Sequence, residues 1–143
     1  MPREFSRRAP HFGMFGQVLM AYLPEAEVDR ILARRPLVPL TRRTITDPFE
    51  FREKLARIRR GGYVVEEGEA IDGVTGIAAP VRDFRGQVIA AVGVGFISTS
   101  VEGKNVERTL TEVLKTAQLI SQELGYAVSG AAISGACVAP STG

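Results

Sequence analysis

The sequence is poor in the residues from which most catalytic and metal sites are built. It has one histidine, His11, one cysteine, Cys137, and no tryptophan. A Ser-His-acid or Cys-His arrangement would have to be assembled around His11 alone. A structural zinc site cannot find its ligands in this pair. A lone cysteine makes no intrachain disulfide, so a reducing cytoplasm is the expected setting. No apolar run approaches the length of a bilayer, and the arginine-containing start lacks the apolar stretch of a signal peptide, so no membrane partner is expected. No phosphate-loop pattern is present. Gly93 and Gly95 fall inside an expected strand, not ahead of a helix as a dinucleotide site requires. The acidic cluster Glu66, Glu67, Glu69 and Asp72 lacks the regular spacing of a calcium loop and reads as a solvated strand end. Charge is nearly balanced: 18 basic and 16 acidic residues give a net charge of +2, too slight to argue for nucleic acid. The pairs Arg7-Arg8, Arg34-Arg35, Arg42-Arg43 and Arg59-Arg60 are scattered, without a helix-turn-helix signature, and read as solvated surface. No cofactor, metal or catalytic residue is expected from these counts.

What is present is the balance of a globular chain. Of 143 residues, 45% are apolar and 24% charged, which suits one domain with a substantial core. Residues 1–10 read as a flexible lead-in and residues 126–143 as a flexible tail, leaving 11–125 as the domain. Apolar positions Phe12, Phe15, Val18, Leu19 and Tyr22 predict a helix over 12–22. Pro24 opens a second, with Val28, Ile31 and Leu32 on one face. A third starts at Asp47, a capping residue followed by Pro48, with Glu50 placed to complete a capping box; Gly61-Gly62 stop it. YVVEE predicts a short strand. Val106, Leu110, Val113, Leu114, Ala117, Ile120 and Leu124 mark the expected buried face of a long final helix. Helices on an antiparallel sheet make an α+β domain.

The stretch GVTGIAAPVRDFRGQVIAAVGVG, residues 73–95, predicts a hairpin turning at DFRG, yet glycine and alanine stand where bulky β-branched residues usually pack. Glycine inside a strand is kept where a bulge forms or where something approaches the backbone closely. Gly76, Gly93 and Gly95 alternate onto one face of the paired strands. Two readings stay open: a hollow for a ligand, or room for a packed helix.

Several stretches agree with one family in order and spacing. GQVLMAYLPEAEVDRIL, LTRRTITDPFEFREKLARIRRGGYVVEEGEAIDGV, IAAPVRDFRGQVIAAVGV and ISQELG together cover most of residues 8–125. Thr44-Ile45-Thr46-Asp47, Gly62-Tyr63 and Ala78-Ala79-Pro80-Val81 are its local marks. The chain resembles the effector-binding domain of IclR-type transcriptional regulators. The resemblance implies a GAF- or profilin-like fold, a curved antiparallel sheet flanked by helices. The family domain's first helix and first two strands find no counterpart here. It implies a small organic acid as effector, a homodimer or homotetramer, and DNA contact through an N-terminal winged helix-turn-helix that this sequence does not contain. By position, the helix start that meets the effector's carboxylate falls on Met14, Phe15 and Gly16. The acidic pocket residue falls on Glu66, and the remaining positions on Val74, Gly76, Gly93 and Gly95. Glycines at these positions, walled by Met14 and Phe15, suit an aromatic or extended acid better than a two- or three-carbon one. Two other readings remain beside this one: an oligomerisation scaffold without ligand, and a small-molecule enzyme using His11 or Glu66.

Overall fold

The computed structural model of the chain describes residues 10–127. Apart from Pro10, Tyr126 and Ala127, the expected lead-in and tail lie outside these residues, as does Cys137. Four helices and three strands follow in the order α1 (Gly13–Ala21), α2 (Glu25–Arg34), α3 (Pro48–Gly61), β1 (Val64–Glu67), β2 (Val74–Arg82), β3 (Val88–Ile97) and α4 (Val106–Glu123), with a short 3-10 turn before α4. The α+β class is as the sequence predicts.

The ends of α3 follow from local chemistry. The Asp47 carboxylate accepts from the Glu50 N–H at 3.3 Å, and Pro48 fills a position whose N–H would have no helical partner. This is the forward half of the expected capping box. At the other end Gly62 sits at φ +82°, and its N–H closes the helix on the Ile58 carbonyl. The β2–β3 turn is set by Asp83, whose Oδ1 accepts from the N–H groups of Arg85 at 2.9 Å and Gln87 at 3.2 Å.

The sheet is antiparallel in the order β1-β2-β3, so β1 and β3 are its edges. Gly76 stands opposite both Glu66 and Gly95, and Ala78 opposite both Val64 and Gly93. Because side chains alternate across a strand, these residues share one face. On it α1 packs, and Val18, Met20 and Ala21 join Phe51, Leu55 and Ile58 of α3 and Val28 and Leu32 of α2 in one core cluster. The opposite face presents Ile77, Ala79 and Val81 to Val113 and Ala117 of α4.

Helix α4 keeps part of the expected stripe, Val113 and Ala117, and departs from the rest. Val113, Ala117 and Ser121 are buried against the sheet, whereas Leu114, Ile120 and Leu124 are exposed. The cause is close approach: the Ser121 hydroxyl takes the Arg82 backbone N–H at 2.9 Å and gives its proton to the Ala117 carbonyl at 2.8 Å. Small residues let the backbones meet along this seam and push the larger side chains to its flanks. Among the described residues no helix is long and apolar enough to cross a membrane.

Candidate functional site

The site begins with the cross-strand pair Gly76–Gly95, which leaves the middle of the α1 face without side chains. Helix α1 starts directly above. Its first turn, Glu66 of β1, Val74 and Gly76 of β2, Gly95 of β3 and the loop of residues 68–73 line an open-mouthed cavity of about 180 Å³. Six of the eight residues expected from sequence line it: Met14, Phe15, Glu66, Val74, Gly76 and Gly95.

Gly16 and Gly93 do not line this cavity. A Cβ on Gly16 would run into the Pro10 carbonyl, so this glycine lets the chain before α1 pass close to the helix. A Cβ on Gly93 would strike the Ile77 carbonyl oxygen and lie 2.9 Å from Ala78 Cα, so it serves the β2–β3 approach. Gly76 is different again: its Cβ would fall 2.5 Å from Met14 Sδ. A side chain of α1, not a void, rests on that glycine. Gly95 is the most open of the three, with nothing nearer than 3.9 Å. The glycines therefore differ in use: Gly16, Gly76 and Gly93 admit close approach of other groups, and Gly76 and Gly95 also line the cavity.

Glu66 is 5% exposed. Its Oε2 accepts from the N–H groups of Glu69 at 2.7 Å and Ala70 at 3.1 Å. A buried carboxylate needs such partners, and here it shapes the loop that forms one cavity wall. Glu69 takes a hydrogen bond from Gln17 Nε2 at 3.1 Å and pairs with the buried Lys54 ammonium. The Thr44 hydroxyl donates to the Glu69 carbonyl at 2.6 Å, and that of Thr41 to the Gly68 carbonyl. Only Glu67 and Asp72 of the acidic cluster are solvated as expected: Glu66 and Glu69 are turned inward, met by two amides of their own loop and by Gln17 and Lys54, while Thr41 and Thr44 hold the loop's carbonyls. Among the described residues no set of three or more acidic, histidine or cysteine side chains is placed to hold a metal ion.

Sequence reasoning missed Phe12, Gly13, Ala70 and Ile71, which also line the cavity. His11 is not among the lining residues. Its Nε2 lies 2.8 Å from the Arg35 carbonyl and its ring meets Phe51 edge-on at 6.1 Å, which ties the chain before α1 to the end of α2. Several arginines are likewise occupied: Arg59 donates to the Ala21 carbonyl at the end of α1, and Arg52 bridges to Asp29 of α2. Arg82 lies over the rings of Tyr22 and Tyr126. Burial raises the Tyr22 phenol above its ordinary pKa, opposed by the nearby charges of Arg82 and Arg59.

The chemistry on offer is apolar with one polar corner. No lining residue is cationic. The positive element is the start of α1, whose first N–H groups have no intrahelical acceptor and whose cap, Phe12, supplies no side-chain hydrogen bond. Amides and dipole there favour an anion. A second groove of about 480 Å³ runs between α3 and β1, but its buried ion pair, Lys54 with Glu69, is already satisfied internally.

An α+β domain with one sheet face hollowed beneath a helix start is the class that this geometry defines. Residues 7–122 match the family model of the bacterial transcriptional regulator IclR C-terminal domain, and the chain belongs to that family. It is 35% identical over 116 residues to an uncharacterized HTH-type transcriptional regulator of Haemophilus influenzae, covering 78% of this chain and 42% of that protein. Over 90 residues it is 38% identical to the DNA-binding transcriptional repressor YiaJ of Escherichia coli, covering 63% and 32%. Among solved structures, the C-terminal domain of E. coli KdgR superposes with a TM-score of 0.73 at 29% identity, covering 82% of this chain and 71% of that one. A double mutant of the PobR inducer-binding domain from Acinetobacter, in complex with 3-hydroxybenzoic acid, gives 0.71 at 28% identity, covering 81% and 65%. The chain spans less than half the length of the two curated relatives above.

Proposed function

We propose that this domain senses a small organic acid for a transcriptional regulator and performs no chemistry on it. The carboxylate would sit on the first-turn amides of α1 at Met14 and Phe15, with the body of the ligand in the apolar cavity beside the Met14 side chain, towards Gly95. The observation that carries this reading is the meeting of an anion-favouring helix start with an apolar cavity of about 180 Å³. A cavity of roughly 150 Å³ lined by apolar side chains takes up one benzene, so a single-ring acid fits. The hydroxybenzoate held by the PobR domain is of that class. Glu66 shapes the wall, and Val74 fills it. Occupancy would shift the packing of α1 on the sheet and, through the subunits of a homodimer or homotetramer in the cytoplasm, bias DNA binding by a separate domain. Strand β3 supports the oligomer: it is an edge strand whose ten residues include no charge to deter pairing.

A scaffold reading draws on Gly16 and Gly93, whose missing side chains serve packing alone. A thermal-shift series from glyoxylate to hydroxylated benzoates separates the two, with benzyl alcohol as a neutral control. An acid present at 100 times its dissociation constant stabilises the fold by about 2.7 kcal/mol, a rise in Tm of several degrees. The expected pattern is a rise with single-ring acids and none with benzyl alcohol. A flat panel favours the scaffold.

A further inference from the structure

One cavity residue is built unlike the others. Phe15 and Ile71 are 44% and 56% exposed and stand at the mouth. The Glu66 carboxylate is held by loop amides, and Val74 is a β-branched residue with restricted χ1. Met14 alone among these is long, unbranched and laid along the glycine floor. Its Sδ is 2.5 Å and its Cγ 3.2 Å from the point a Gly76 Cβ would occupy, and its Cε is 3.9 Å from the same point on Gly95. The thioether therefore spans the cross-strand glycine pair from one strand to the other.

That placement makes two glycines and a methionine one device. Methionine has three rotatable side-chain bonds and repacks easily. With Met14 seated, the remaining space suits one ring; with Met14 turned away, the floor it covers joins the cavity. From this geometry we infer that Met14 is the residue that sets ligand size, a movable plug seated on Gly76 and Gly95. The inference rests on the cavity being the effector site. Acids of one ring bind beside a seated Met14. Acids of two fused rings require its displacement. Gly76 favours seating, because a Cβ there would lie 2.5 Å from Sδ and force the thioether to shift, whereas Gly95 has room for one.

The test uses benzoate and 2-naphthoate with four proteins: the full chain, Met14→Ala, Gly76→Ala and the double variant. The full chain is expected to prefer benzoate. Met14→Ala shifts the preference towards 2-naphthoate by about tenfold or more, the scale on which apolar pockets discriminate size. Gly76→Ala drives Met14 into the cavity, weakens benzoate by a similar factor and lowers Tm; adding Met14→Ala relieves both losses. The Tm readout needs no ligand. A benzoate-to-naphthoate ratio unmoved by Met14→Ala overturns the inference, as does a Gly76→Ala loss in Tm that is equal in both backgrounds. If the Tm coupling is present but none of the four proteins binds either acid, the sensing function itself falls, and the size role falls with it.

Discussion

The two faces of β2 are made of alternate residues of one strand and are packed in opposite ways. Towards α4 it presents Thr75, Ile77, Ala79 and Val81, all buried, and the seam with Val113, Ala117 and Ser121 is closed. Towards α1 it presents Val74, Gly76 and Ala78, and a cavity remains. The first face is closed along its length by β-branched side chains and a hydroxyl bridge from Ser121. The second gives up side chains, and with them packing energy, in return for a space whose occupant is a flexible methionine. Closed packing and open space are separated by the two-residue period of a strand.

The largest effect is expected on the closed face. Ile77 is fully buried, and Ile77→Ala removes buried methyl groups and leaves a void, at about 3–4 kcal/mol. Chemical denaturation measures the loss; if the division between faces is real, the acid preference of the folded protein stays as it was. A smaller contrast lies within the open face. Gly93→Ala sets a methyl against the Ile77 carbonyl and Ala78 Cα, backbone that cannot yield without separating the strands, and should cost about 2 kcal/mol. Gly95→Ala meets nothing closer than 3.9 Å and should stay within about 0.5 kcal/mol while narrowing the cavity. Equal losses at the two positions would break the distinction drawn here between a packing glycine and a floor glycine.

The smallest effect belongs to the turn that joins β2 to β3. The Arg85 guanidinium, with the Gln87 and Arg85 amides, holds the Asp83 carboxyl below its ordinary pKa. A carboxylate whose pKa is depressed by folding adds stability at neutral pH, and loses it as pH falls through the ordinary carboxylate range, below about 4. Denaturant midpoints measured from pH 7 to pH 3 should therefore fall less for Asp83→Asn than for the unmodified chain. Parallel curves would show that the turn carries no linkage.

Where local chemistry decides an element, the sequence was sufficient. Asp47-Pro48 and Gly61-Gly62 bound α3, and DFRG turned the hairpin. The shared face of Gly76, Gly93 and Gly95 followed from alternation alone. Alternation does not say what stands above each glycine, which is why Gly93 was expected in the cavity yet serves the strand pair. The wall formed by Ala70 and Ile71 was out of reach for another reason. Its position depends on Thr41, Thr44, Lys54 and Gln17, residues 15 to 52 positions away in the chain, and no local pattern encodes such partners. In α4, apolar periodicity found Val113 and Ala117 but added Leu114, Ile120 and Leu124, which are exposed, and passed over the polar Ser121 that the close seam needs. Hydropathy ranks residues by aversion to water and is silent on how near two backbones come.

The many fastenings of the loop at 68–73 bear on how tightly this domain could hold a ligand. A binding loop that orders only when occupied subtracts its lost freedom from the affinity, and so does every side chain that must be immobilised, at about 0.5–1.5 kcal/mol each. Here the Glu66 carboxylate, the Lys54–Glu69 pair and two threonine hydroxyls fix the wall during folding. An incoming acid would meet a wall already ordered, so the cost of fixing that loop would not be subtracted from its affinity.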